Sequence, residues 1–145
     1  MHVSFQNDRG GNSVKEAGPC HRNLHAVWDT CMIETQLGTE TDDIAMALRD
    51  TVTDQDRTEW TPTTPTEWAN ESFRIAISPE VQYCVQVEGV CRYAQDNVEL
   101  DGDEPERVVM VDEAYMEQHL PTIKRRLTQA GIRLGALLNQ ALGGQ

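Results

Sequence analysis

Apolar residues in this chain recur mostly at steps of three and four, the spacing that lines one face of an α-helix. Leu24, Val27, Trp28 and Cys31 open the pattern, and Asn23 just before them has the side chain of an N-cap. A second helix is predicted over about 41–52, where Thr41-Asp42-Asp43 makes a capped acidic start and Ile44, Ala47, Leu48 and Val52 form the stripe. A third is predicted over about 66–78, with Trp68, Ser72, Ile75 and Ala76 on one face and Pro79 just past its end. The longest stripe is Met116, Leu120, Ile123, Leu127, Ala130, Leu134, Leu137 and Ala141. It predicts a helix over about 112–142, which Pro121 should kink or break and Gly143-Gly144 should end.

Between these helices the pattern fails in different ways. Residues 1–23 are rich in Gly, Asn and charge and predict a loop or small hairpin. Residues 58–65 form a Thr- and Pro-rich connector, and residues 80–110 are irregular and acidic. Thr-Glu-Trp occurs at 58–60 and again at 66–68, too short a recurrence to count as a repeat. The predicted class is all-α, mainly helical and incomplete. Four helices of such unequal length close a bundle poorly, and the long stripe calls for partners beyond this chain.

Length and charge sharpen the picture. The chain has 145 residues, room for one domain with one core. It carries 24 acidic and 12 basic residues, a formal charge of −12. Such a surface repels polyphosphate, so a basic patch is excluded as a means of holding nucleic acid, and bound cations would have to supply a positive field. No run of about 18 apolar residues exists, so no transmembrane helix is expected. The first eight residues lack the charged lead and apolar stretch of a signal peptide.

Cys20, Cys31, Cys84 and Cys91 fall into two local pairs, neither with zinc-ribbon spacing. They read either as two short-range disulfides, Cys20–Cys31 and Cys84–Cys91, or as four buried thiols. The disulfide reading is preferred because both pairs flank turn-like segments, and it implies an oxidising compartment. That implication sits badly with the missing signal peptide and is a first hint of an incomplete chain.

The candidate chemistry lies in the first thirty residues. His25 and Asp29 are four apart on the first predicted helix, which puts an imidazole and a carboxylate on one face. Zinc accepts both ligand types. The plain alternative is a helix-surface hydrogen bond. Against it, the pair lies in an apolar stretch, Leu24 to Ile33, where unpaired polar groups are costly. A third possible ligand, His2, precedes the turn Asp8-Arg9-Gly10-Gly11-Asn12, whose glycines permit the positive φ needed to fold it back. His21 reads as a loop residue and His119 as structural.

These residues resemble a known family. Met1-His2, Asp8-Arg9-Gly10-Gly11-Asn12 and Asn23-Leu24-His25-Ala26-Val27-Trp28-Asp29 look like the signature of the S1/P1 nucleases. Trp68-Ala69-Asn70-Glu71-Ser72, then Leu120-Pro121, Arg126-Leu127 and Ala130-Gly131-Ile132-Arg133-Leu134, continue the likeness. The resemblance implies a helical fold like that of zinc phospholipase C and a cluster of three zinc ions. It implies hydrolysis of single-stranded DNA and RNA to 5′-nucleotides, with 3′-nucleotidase activity in many members, and a secreted or periplasmic location for the intact relative. By the same resemblance His2, His25 and Asp29 hold one zinc. The chain is expected to begin inside the family's Gly-Asp-x-His-Gln-Pro-(Leu/Met)-His segment. Residues 1–145 would then be the C-terminal part of a single nuclease domain, short of ligands for the other two ions and inactive alone. A zinc phospholipase C-like esterase and a noncatalytic fragment are the alternatives. No membrane partner is expected.

Overall fold

The computed structural model of the protein describes residues 10–83, 86–87, 90–91 and 108–143. It is mainly helical. Strand β1 (Lys15–Ala17) precedes a helical segment made of α1 (Leu24–Ala26), a π turn (Val27–Cys31) and α2 (Met32–Leu37). Then come α3 (Thr41–Arg49), α4 (Asp54–Trp60), α5 (Pro65–Ala76) and a 3₁₀ turn (Pro79–Val81). Short strands β2 (Gln86–Val87), β3 (Val90–Cys91) and β4 (Val108–Met110) lead to the thirty-residue helix α6 (Glu113–Leu142).

The described part of the N-terminal region is a loop with one antiparallel bridge, Lys15 to Asn23, and it carries β1, which pairs in parallel with β4, Lys15 opposite Val108 and Ala17 opposite Met110. Parallel pairing needs a long crossover, which local alternation cannot reveal. Two local expectations are corrected. The connector over 58–65 is half helix: Thr53 and Asp56 cap α4 reciprocally, as Thr64 and Glu67 cap α5 with Pro65 in its first turn. Pro121 does not break α6, which runs through it. The missing proline N–H strands the carbonyl of exposed Glu117, where water can satisfy it.

The core forms where β1, β4, the first helical segment and the start of α6 meet. Val14, Leu24, Val27, Met32, Val81, Tyr83, Val109 and Val111 are fully or almost fully buried there, with Tyr115, Met116 and Ile123 of α6 against them. Gly18 is required at this seam, because a Cβ on it would sit 2.0 Å from the Val111 carbonyl oxygen.

Farther along α6 the packing changes character. Arg126 and Arg133 both bond to Glu71 of α5, Arg133 through two parallel contacts of 2.7 and 2.8 Å. Arg126 also donates to Ser72 Oγ and Gln129 Oε1. Trp60 and Trp68 lie beneath the guanidinium groups of Arg125 and Arg133, at 5.8 and 5.3 Å. The recurrent Thr-Glu-Trp thus has a structural consequence: two tryptophans eight residues apart meet two arginines eight apart. Beyond Arg133 the apolar stripe emerges into solvent, with Leu134 57 % and Leu142 73 % exposed.

Candidate metal centre

The first helical turn is built so that its amides are satisfied before the site begins. Leu24 N–H donates to the Val14 carbonyl, His25 N–H to that of Gly11 at 3.4 Å, and Ala26 N–H to Asn23 Oδ1. Gly10 and Gly11 take φ of 68° and 90°, a region open to glycine at no steric cost. Their turn lies against the helix, and the Gly10 carbonyl accepts from His25 Nδ1 at 3.0 Å. The two glycines of the expected turn lie against His25, while His2, Asp8 and Arg9 lie outside the described residues.

This contact settles which nitrogen faces outward. A carbonyl can only accept, so Nδ1 carries a proton and Nε2 is the nitrogen turned toward Asp29. Nε2 stands 2.9 Å from Asp29 Oδ2. A contact of that length forms with a proton on Nε2, and the same two atoms are donor types that a metal ion accepts. Two donors bonded to one tetrahedral zinc at about 2.0–2.2 Å stand roughly 3.3 Å apart, a small adjustment from the pair seen here. A carbonyl on the second imidazole nitrogen is also the usual outer partner of a metal-binding histidine. The pair supplies two of the four donors that zinc ordinarily takes.

Asp29 sits inside the π turn and on the wall of a cleft of about 680 Å³ that Trp28, Trp68, Ser72, Ile75 and Arg126 also line. His25 and Asp29 are both partly exposed. His2 lies outside the described residues, and among the described residues no group of three or more His, Cys, Asp and Glu is placed to hold a metal. Cys20 and Cys31 form a disulfide with Cα atoms 5.9 Å apart, tying the end of the π turn to the loop before α1. Cys84 and the side chain of Cys91 lie outside the described residues.

His21 is a loop residue with φ of 49°. His119 is buried, donates from Nε2 to the Glu80 carbonyl at 3.0 Å, and is held below the usual histidine range by burial. Sequence reasoning placed Trp28 on the first apolar stripe and in the family motif, and left Tyr115 without a role. The indole N–H of Trp28 donates to Tyr115 Oη at 3.0 Å, and Tyr115 Oη–H donates to the Val81 carbonyl at 3.0 Å. Burial pushes the Tyr115 phenol up to about 12, so it keeps its proton. A tryptophan beside a ligand candidate was visible in the sequence, but its partner 87 residues away was not.

This is a mainly helical domain that brings an imidazole and a carboxylate together on one turn, with a backbone carbonyl behind the imidazole. The family model for the S1/P1 nucleases matches residues 1–143, and the chain belongs to that family. It is similar to Endonuclease 2 of Arabidopsis thaliana, 28% identical over 144 residues covering 99% of this chain and 47% of that protein. Endonuclease 5 and Endonuclease 4 of the same plant are each 27% identical over 97% of the chain, which covers 45% and 44% of their lengths. The chain thus spans a little under half the length of these curated relatives.

Proposed function

We propose that the chain contributes one zinc site to a nuclease acting on single-stranded nucleic acid, with His25, Asp29 and His2 as the ligands. The observation that carries this reading is the His25 Nε2–Asp29 Oδ2 contact, with Nδ1 fixed from behind by Gly10. Family membership and the names of the relatives support a phosphodiester substrate. Zinc, when bound, supplies acidification of water and a positive charge against the phosphoryl oxygens. The chain's own part is to present an imidazole oriented by the Gly10 carbonyl and a carboxylate beside it. At a formal charge of −12 it has no general basic surface to draw a polyanion in, which makes a local cation the natural source of affinity. The intact enzyme is read as secreted or periplasmic, in keeping with the Cys20–Cys31 disulfide.

The chain by itself is proposed to hold at most one zinc and to cleave little. Three ligands make one site, and a single ion cannot clamp both the attacking and the leaving oxygen. Two experiments test the reading. Elemental analysis of the purified chain should find about one zinc, lost in His25→Ala. Grafting the chain over the 144 aligned residues of Endonuclease 2 should give a chimera that hydrolyses single-stranded DNA and loses that activity with His25→Ala. A chimera equally active with and without His25 would overturn the proposal. Rapid cleavage by the chain alone would leave the zinc site standing and refute its insufficiency. Hydrolysis of a phospholipid headgroup in place of DNA would favour the esterase alternative.

A further inference from the structure

We infer that Tyr115 is a positioning residue for the Asp29 carboxylate, acting through Trp28 and the π turn that carries both residues. The inference rests on the proposed role of His25 and Asp29 as metal ligands. A π turn holds an extra residue, is rare, and occurs mostly at functional sites. Here Val27–Cys31 is held at three points. Val27 is fully buried in the core. Cys31 is bonded to Cys20. Trp28, the residue before Asp29, is gripped by α6.

The grip is directional. An indole N–H only donates and a carbonyl only accepts, so the Trp28–Tyr115–Val81 chain of two 3.0 Å bonds has one possible sense. The Trp28 ring meets Tyr115 edge-on at 6.5 Å and His119 at 5.0 Å. Tyr115 and His119 are one helical turn apart on α6, and they bond to Val81 and Glu80 of the same 3₁₀ turn. The indole is therefore fixed by two elements at once, while Asp29 is left to meet His25 on the open side. Tyr115 touches neither ligand candidate in this chain of contacts; it holds the residue next to one of them.

The test compares the full-length chain with its Tyr115→Phe variant in two readouts. Zinc titration should show affinity weakened about tenfold, the lower end for loss of an outer partner of a metal ligand. In metal-free protein, the ¹⁵N signals of the His25 ring report its contact with Asp29, and they should move toward those of Asp29→Asn. Trp28→Phe removes the donor and trims the ring; it should reproduce both changes and carries the test if Tyr115→Phe fails to fold. Val109→Ala, a core truncation in β4, should leave both readouts unchanged, which separates positioning from loss of stability. Wild-type zinc affinity and unshifted His25 signals in Tyr115→Phe would overturn the inference. Equal zinc binding by wild type and Asp29→Asn would instead overturn the metal reading, and the metal-free His25 signals would still decide the role of Tyr115.

Discussion

At the scale of single residues, the chain invests most in Glu71. One carboxylate serves two guanidinium groups, and Arg133 is only 3 % exposed. The hydrogen bond from Arg133, followed by that from Arg126, holds the Glu71 carboxyl down to about 2. Removing it leaves a buried cation unpaired, so Glu71→Ala should destabilise by about 3 kcal/mol in urea denaturation, within the range for breaking a buried pair. A change below about 1 kcal/mol would mean that water reaches Arg133 freely. Gly18 makes a second sharp case. Its missing Cβ admits the Val111 carbonyl, whose own amide bonds to Ala17 at 2.9 Å. Gly18→Ala should separate β1 from β4 and cost about 2 kcal/mol by overpacking, with the loss seen as faster amide exchange at Val111. Motif residues such as Glu71, Arg126 and Arg133 were legible in the sequence as a family likeness. Their mutual pairing was not, because a charge pattern on one helix does not name its partner on another.

At the scale of elements, stripes of three- and four-residue spacing found the first helical segment, α3, α5 and α6, since each turns an apolar face inward, α3 only partly, with Ile44 and Leu48 half-buried. They missed α4, whose short sequence Asp54–Trp60 is polar and depends on its capping box rather than on a stripe. They also missed the β1–β4 pair, which joins residues over ninety positions apart. Pro121 was expected to interrupt α6, and the helix accommodates it at a solvent-facing site. That accommodation has a cost, so Pro121→Ala should stabilise the protein by about 1–3 kcal/mol; a neutral or destabilising result in denaturant would show that the proline makes a compensating contact. The Cys20–Cys31 disulfide closes a loop with a sequence separation of 11, for which chain entropy gives about 2–3 kcal/mol. Reduction, or Cys20→Ala with Cys31→Ala, should lower the thermal midpoint accordingly. Because Cys31 ends the π turn, the same change should also loosen the hold on Asp29.

At the scale of the whole molecule, acid should unfold the chain in two stages of the same sign. The folded-state pKa of Glu71 is depressed from 4.5 to about 2, so its contribution is complete above 4.5 and is lost as pH falls from there toward 2. His119 is held below 6.5 by burial; the unfolded chain takes up that proton first, so stability also declines as pH drops below 6.5. Thermal midpoints should therefore fall from pH 7.5 to 5.5 and further to 3.5, and His119→Gln should flatten the first step alone. The helical class and the position of the candidate centre were readable from the chain, because a glycine turn and a His-x-x-x-Asp face are local features. What local patterns could not show was the reach of α6, which supplies Tyr115 and His119 to the centre at one end and presents Leu134, Leu137 and Leu142 to solvent at the other. The central claim is that His25 and Asp29 hold a metal between them, and X-ray absorption at the zinc edge tests it most directly. The account predicts zinc with imidazole nitrogen and carboxylate oxygen at about 2.0–2.2 Å, the nitrogen shell shrinking in His25→Ala and the oxygen shell in Asp29→Ala. Zinc absent from the folded chain, or an identical coordination shell in all three proteins, would contradict it.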